Sequence, residues 1–243
     1  MTNNGQADAV PPKSELRHYP VAVSVEQLAL AWLRSEGAQS GSIVLVDHEI
    51  GPRQRLGVPW RVHSAQSVSY AAVLRCRLPI EDESLLWIIA LLAAARSFEA
   101  IAMSAPALGW PDLLIAADEK QGGSVAIEAQ LGPGIVQSAI VSVRINTELL
   151  PTPRHGARPM AQAFGQQLNH MVGQLETTRA DLLSEYDTRS ALIGRRVRVR
   201  LLPRGDTRGT VGPVTAAGNL PLVSPTGMIE LLNPSTVLSV VPI

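Results

Sequence analysis

From Leu85 to Ala95 the chain runs for eleven residues without a charge, and its only polar side-chain atom is the indole nitrogen of Trp87. A bilayer span needs about 20 consecutive apolar residues, so this run is too short to cross a membrane. It reads instead as the middle of a helix, Ser84 to Ile101, buried in a protein interior. The 243-residue chain is 46% apolar and can enclose such a helix. A chain of this length suits one medium domain and a small one.

Lysine and arginine together number 21, aspartate and glutamate also 21, so the formal charge is zero. That balance argues against a dedicated nucleic-acid or membrane-surface binder, which carries a basic excess. One cysteine, Cys76, rules out an internal disulfide and fits a reducing, cytoplasmic location. Residues Met1 to Tyr19 are polar, contain Pro11-Pro12, and read as a disordered leader without a signal peptide. Arginine is abundant but lysine occurs only as Lys13 and Lys120. Any chemistry that needs an amine side chain in the folded body therefore falls to Lys120.

Val25, Leu28, Ala29, Trp32 and Leu33 repeat at helical spacing behind Ser24, a candidate N-cap with Gln27 as its capping-box partner. Ser42 to Asp47 is continuous and β-rich, the pattern of a strand buried on both faces. After a polar loop from His48 to Trp60 come a strand at 68–77, the buried helix, and strands at 113–116, 124–129 and 136–145. Leu131-Gly-Pro-Gly134 marks a turn before the last of these. A loop rich in proline and arginine, 151–159, precedes helices over about 160–176 and 178–190. The final segment differs, with short strands at 196–202, 206–215, 220–223, 228–232 and 237–241 between Gly, Pro and Asn turns. The fold class is α+β: a mixed sheet with flanking helices over 20–190, then a small all-β, SH3-like domain over 191–243.

Five motifs in order then resemble those of biotin–protein ligases, over nearly the whole chain from Val21. Ser24-Val-Glu26 stands where that family has its S-T-N turn. Pro52-Arg-Gln-Arg-Leu-Gly-Val-Pro-Trp60 stands for its G-R-G-R-x-G-R-x-W loop, and Trp110-Pro-Asp-Leu113 for its W-P-N-D segment. Lys120-Gln-Gly-Gly123 stands for K-x-x-G, and Ser142-Val-Arg-Ile-Asn146 for the G-x-G-x-N strand. Tyr186 through Ile193-Gly-Arg-Arg-Val-Arg-Val199 is similar to the start of the family's final domain.

The resemblance implies biotin and ATP as substrates, a biotinyl-adenylate, and transfer to a lysine of a biotin carboxyl carrier domain. Such chemistry holds two mutually repelling anions together, which suits arginine forks and a lysine point charge. Lys120 takes the place of the catalytic lysine, and Arg53 and Arg55 those of the phosphate-covering arginines. Ser24, Trp60, Trp110, Asp112, Gly123 and Asn146 complete the implied ligand site. Asp112 replaces an amide with a carboxylate, which repels phosphate unless it holds Mg²⁺. The implied partners are a carrier domain or carboxylase subunit and, as is frequent in the family, a second copy of the chain. No nucleic acid and no membrane are implied.

The departures fall on ligand-facing positions. Pro52 and Gln54 replace loop glycines, Val58 replaces an arginine, and Ser142 and Arg144 replace the G-x-G pair. Proline removes an amide donor, and a side chain in place of glycine keeps the backbone away from a ligand. Two alternatives follow: a catalytically degenerate paralogue acting as a binding or regulatory subunit, and a ligase for another acid such as lipoate or octanoate. The five histidines show no metal-ligand spacing, one cysteine cannot build a zinc site, and no phosphate-binding G-x-x-x-x-G-K-[ST] loop occurs.

Overall fold

The computed structural model describes residues 14–151 and 156–243. The elements run β1 (Leu16–Ala22), α1 (Val25–Ser35), β2 (Ile43–Glu49), β3 (Ser67–Pro79), α2 (Leu85–Glu99), β4 (Ala107–Gly109), β5 (Leu113–Ile115), β6 (Gln121–Gly132) and β7 (Ile135–Asn146). There follow α3 (Ala157–Gly173), α4 (Leu175–Arg189), β8 (Arg196–Leu201), β9 (Asp206–Val211), β10 (Leu220–Val223), β11 (Ile229–Leu232) and β12 (Val237–Pro242). Seven strands form one mixed sheet in the order β1-β2-β3-β7-β6-β5-β4, and five form an antiparallel sheet in the order β11-β10-β9-β8-β12. In the large sheet β1 and β2 are parallel and every other neighbouring pair is antiparallel.

The apolar run forms α2, buried on nearly all sides, because α3 and α4 and the large sheet pack around it. On the sheet's opposite face α1 lays Val25, Ala29, Trp32 and Leu33 over Val44, Val46, Ala71, Val73 and Ile140. The inner side of the small sheet contributes Val197, Val199, Leu220 and Val237 to the same core as α2, so the two units share one interior. Gly218 is at φ +81°, and a Cβ there would lie 2.8 Å from backbone atoms of Ser84 and Leu85. That close approach seats the small sheet on the start of α2.

Three expectations change. The stretch read as leader up to Tyr19 contains β1, which begins at Leu16; an edge strand carries few apolar residues and tolerates Pro20, so its pattern is faint. Residues 1–13 of that leader, and Thr152 to His155 of the loop at 151–159, lie outside the described residues. β4 has three residues, too few for any periodicity to announce it. The strand placed at 206–215 stops at Val211, just before Gly212 and Pro213. Among the described residues no helix is long and apolar enough to cross a membrane.

Ile89 is buried on α2. Ile89→Ala is expected to cost about 2–5 kcal/mol by removing buried methylenes and leaving a cavity, measured by chemical denaturation.

Candidate functional site

Beyond the N-terminal end of α1, the face of the sheet under that helix changes from apolar to polar. Ser69, Ser124, Ser142 and Arg144 lie side by side there on β3, β6 and β7. Arg144 is 1% exposed, so its charge needs a partner inside the protein. Two supply it. Glu49, at the end of β2, accepts from Arg144 Nε at 2.9 Å and from Nη2 at 2.7 Å, and its Oε1 also takes the amide of Val25 at 3.0 Å. Glu26, in the first turn of α1, accepts from Arg144 Nη2 at 2.9 Å, from Ser142 Oγ at 2.6 Å and from Ser24 Oγ at 2.8 Å. Burial pushes the Glu26 carboxyl up, but the Arg144 charge and the two hydroxyls outweigh it and hold the group below its ordinary value. The Arg144 guanidinium is in turn raised, its carboxylates overcoming desolvation.

Above this triad opens a cavity of about 640 Å³. Its walls come from the start of α1 (Ser24, Glu26, Gln27), the loop Arg53 to Gly57, Glu83 to Trp87 at the start of α2, Ala126 to Glu128 of β6, and Asn233 to Ser235. Its lining includes three carboxylate residues, Glu26, Glu83 and Glu128, and two arginines, Arg53 and Arg55. Burial raises the Glu128 carboxyl, and the Glu26 charge raises it further.

The loop over the cavity is closed on itself. The amides of Gln54, Gly57, Val58 and Trp60 bond to carbonyls within the loop, and Pro52 and Pro59 have no amide to offer. Leu56 and Gly57 both take the left-handed conformation, at φ 59° and 72°, to make the turn. Arg53 Nη1 donates to the Gly57 carbonyl at 3.0 Å. Arg55 turns away from solvent: its Nη1 donates to the carbonyls of Pro234 at 3.1 Å and Val237 at 2.6 Å, and its Nη2 to Leu238 at 3.2 Å. Its Nε lies 3.3 Å from Asp112 Oδ1, an ion contact without hydrogen-bond geometry. Burial raises the Asp112 carboxyl, and Arg55 only partly offsets it.

Of the residues that the sequence suggests for a ligand site, Ser24, Arg53 and Arg55 line the cavity. The others lie elsewhere. Lys120 projects into solvent from the turn before β6 and pairs with Asp118 at 2.8 Å. Trp60 Nε1 donates to Ser67 Oγ at 2.9 Å beneath the loop, and Trp110 Nε1 to the Gly218 carbonyl at 3.3 Å beneath the small sheet. Asn146 Oδ1 accepts from the Glu148 amide at 3.0 Å, capping the turn after β7. Gly123 is packed so closely that a Cβ would lie 2.7 Å from the Arg144 carbonyl oxygen. Asp112 is buried against Arg55, and no group of three or more His, Cys, Asp or Glu among the described residues could hold a metal. The donor set there does not fit Mg²⁺. Ser24 caps α1, accepting from the Gln27 amide at 3.2 Å, while its hydroxyl goes to Glu26 and not to a Gln27 side chain.

No family model matches the chain. Among curated proteins, the bifunctional ligase/repressor BirA of Bacillus subtilis (strain 168) is 23% identical over 156 residues, covering 62% of this chain and 48% of its own length. BirA of Bacillus spizizenii is 24% identical over 128 residues, covering 53% and 39%. The chain thus spans about half the length, or less, of these curated relatives. Among solved structures, the biotin protein ligase of Aquifex aeolicus in complex with biotin and ATP superposes with a TM-score of 0.70 at 18% identity, covering 95% of this chain and all of that one. The chain is biotin-protein-ligase-like in fold. A biotin protein ligase-like protein of unknown function from Silicibacter gives 0.67 at 14% identity, covering 93% and 96%. The biotin acetyl coenzyme A carboxylase synthetase of Helicobacter pylori with bound biotinylated ATP gives 0.61 at 14%, covering 90% and 100%.

Glu49 and Arg144 carry no site role in the sequence reading, although a signal existed. Arg144 lies between Val143 and Ile145 in a strand flanked by two others, and the face on which it emerges is buried, so its charge requires carboxylates.

Replacing Arg144 with Met leaves two buried carboxylates unpaired and is expected to destabilise the protein by about 3–5 kcal/mol at neutral pH. In the wild type the folded-state value of Glu26 lies below the ordinary 4.5, so its contribution is complete above that pH and is lost as the pH falls below it. In the variant Glu26 loses the charge that offsets its burial, so its carboxyl rises and protonates in mild acid. The deficit should therefore narrow between about pH 7.5 and about pH 5, as read from denaturation curves. Arg55→Ala should loosen the small sheet first, seen as faster amide exchange at Val237 and its neighbours.

Proposed function

We propose that this biotin-protein-ligase-like chain forms no biotinyl-adenylate and serves as a binding or regulatory subunit, with a carboxylase subunit or its biotin carrier domain as partner. The Arg144 side chain carries this reading. At a strand position where the family resemblance expects glycine, a full guanidinium lies over the sheet, locked by Glu26 and Glu49. A side chain stands there in place of bare backbone, and its charge is neutralised by the protein itself. The charge is also unsuited to the chemistry. An acyl-adenylate route needs cations around a carboxylate and a triphosphate. Here Arg55 is spent on carbonyls of the small sheet, Lys120 stands outside the cavity, and the triad sets one guanidinium against two carboxylates. Arg53 donates to the Gly57 carbonyl of its own loop and shares the cavity lining with Glu83 and Glu128.

A second reading is an active ligase that joins biotin to a carrier through ATP. It is supported by the nearly complete overlap with a structure holding biotin and ATP. The placement of Lys120 also supports it: Lys120 is next to Gln121, whose amide reaches Gln54 of the loop at 2.6 Å.

Calorimetry with biotinyl-5′-AMP separates the two. The first reading expects no binding heat and no label on a carrier domain after incubation with biotin and Mg-ATP. Tight binding, with label transfer abolished by Lys120→Ala, would establish the second. Repeating the assay with octanoate or lipoate tells a changed substrate from a lost activity.

A further inference from the structure

The small sheet sorts its residues sharply by face. Along β8 the valines at 197 and 199 are buried while Arg196, Arg198 and Arg200 are exposed. On β9 the exposed Arg208 stands directly opposite Arg198, and Arg204 is exposed in the turn between the strands. Side chains two residues apart on a strand repeat at roughly 6.6–6.8 Å, and directly opposed Cβ atoms lie about 4.5–5.5 Å apart. Four guanidinium groups therefore share one face, with a fifth at its end.

Among the described residues none of these five forms an ion pair with a carboxylate. The strands of this sheet contain two acids. Asp206 stands opposite Arg200 without pairing to it, and Glu230 accepts from the Thr207 hydroxyl at 2.8 Å. Like charges directly opposed across a ladder destabilise it, so the Arg198–Arg208 pair carries a cost that an external anion would relieve. Exposed aliphatic side chains lie on the outer strands of the same sheet. Ile229 and Leu231 lie on β11, Val241 stands opposite Arg198 on β12, and Ile243 follows at the end of the chain.

We propose that this arginine face docks an acidic protein segment in extended conformation, with carboxylates two residues apart and aliphatic side chains beside them. The repeat of Arg196, Arg198 and Arg200 matches the side-chain repeat of such a segment. The guanidinium fork grips carboxylates in pairs. Protein interfaces favour arginine with apolar contacts and disfavour lysine, and this face has arginine, aliphatic residues and no lysine. Its strands contain no Trp, Tyr or Phe, the residues on which single-stranded bases stack and which anchor proteins at a membrane interface. The proposal rests on the outer face of the small sheet and is independent of what the cavity binds.

The test is fluorescence anisotropy of the full chain with a labelled peptide of alternating glutamate and valine. Its controls are the same peptide with lysine for glutamate, a single-stranded oligonucleotide, and phosphatidylserine vesicles. The glutamate peptide is expected to bind most tightly, to weaken with added salt, and to lose affinity by about tenfold or more in the double variant Arg198→Glu, Arg208→Glu. Both positions are exposed, and circular dichroism checks the fold; should the double variant misfold, Arg198→Gln with Arg208→Gln takes its place. The proposal is overturned by any of four results: no peptide binding, equal binding of the lysine peptide, tighter binding of the oligonucleotide or vesicles, or an affinity unchanged by the substitutions.

Discussion

Arg144 places a permanent positive charge where water does not reach, and much of the large sheet's ligand-side face is arranged around it. Desolvating a guanidinium costs several kcal/mol unless carboxylates and hydroxyls replace its hydration. Two segments distant in sequence and its own strand supply the replacement: the start of α1 brings Glu26 and Ser24, the end of β2 brings Glu49, and β7 itself brings Ser142. Glu49 also takes the first amide of α1, which fixes where that helix starts relative to the sheet. The triad therefore positions the start of α1, whose Ser24, Glu26 and Gln27 line the cavity.

A second arginine does comparable work at the other side of the cavity. Arg55 extends from the loop into three carbonyls of the small sheet, so the loop and that sheet are held as one piece. In the resemblance that the motifs carry, arginines at these loop positions cover phosphates. Here the guanidinium is used up by the protein's own backbone, and its remaining neighbour is the buried Asp112. Arg144 is locked by two carboxylates and Arg55 is turned toward the small sheet, so both guanidinium groups are engaged by the protein itself.

Much of the fold was legible residue by residue. The eleven-residue apolar run could only be a buried helix, the Ser24 cap marked the start of α1, and Gly-Pro-Gly marked the hairpin between β6 and β7. β1 and β4 were not legible, because an edge strand needs little apolar periodicity and three residues cannot display any. The site was less legible still. Lys120, the one lysine of the described body, stands at a solvent-facing turn, and an isolated side chain in a sequence carries no information about which way its strand faces. Trp60, Trp110 and Asn146 keep their motif positions yet serve packing and a turn.

By itself the sequence determined the α+β class, the order of most elements and the shift to a small all-β unit near residue 196. These follow from periodicity, capping and turn chemistry, which act over a few residues. Only the tertiary structure decided what the motif positions do. Burial, charge pairing and the side of a sheet on which a residue emerges depend on segments as distant as Glu26 and Arg144, or Arg55 and Val237. A local pattern cannot show that an arginine will be neutralised by two carboxylates from elsewhere in the chain. Nor can it show that four others will gather on one exposed face, a fifth at its end, without carboxylate partners among the described residues.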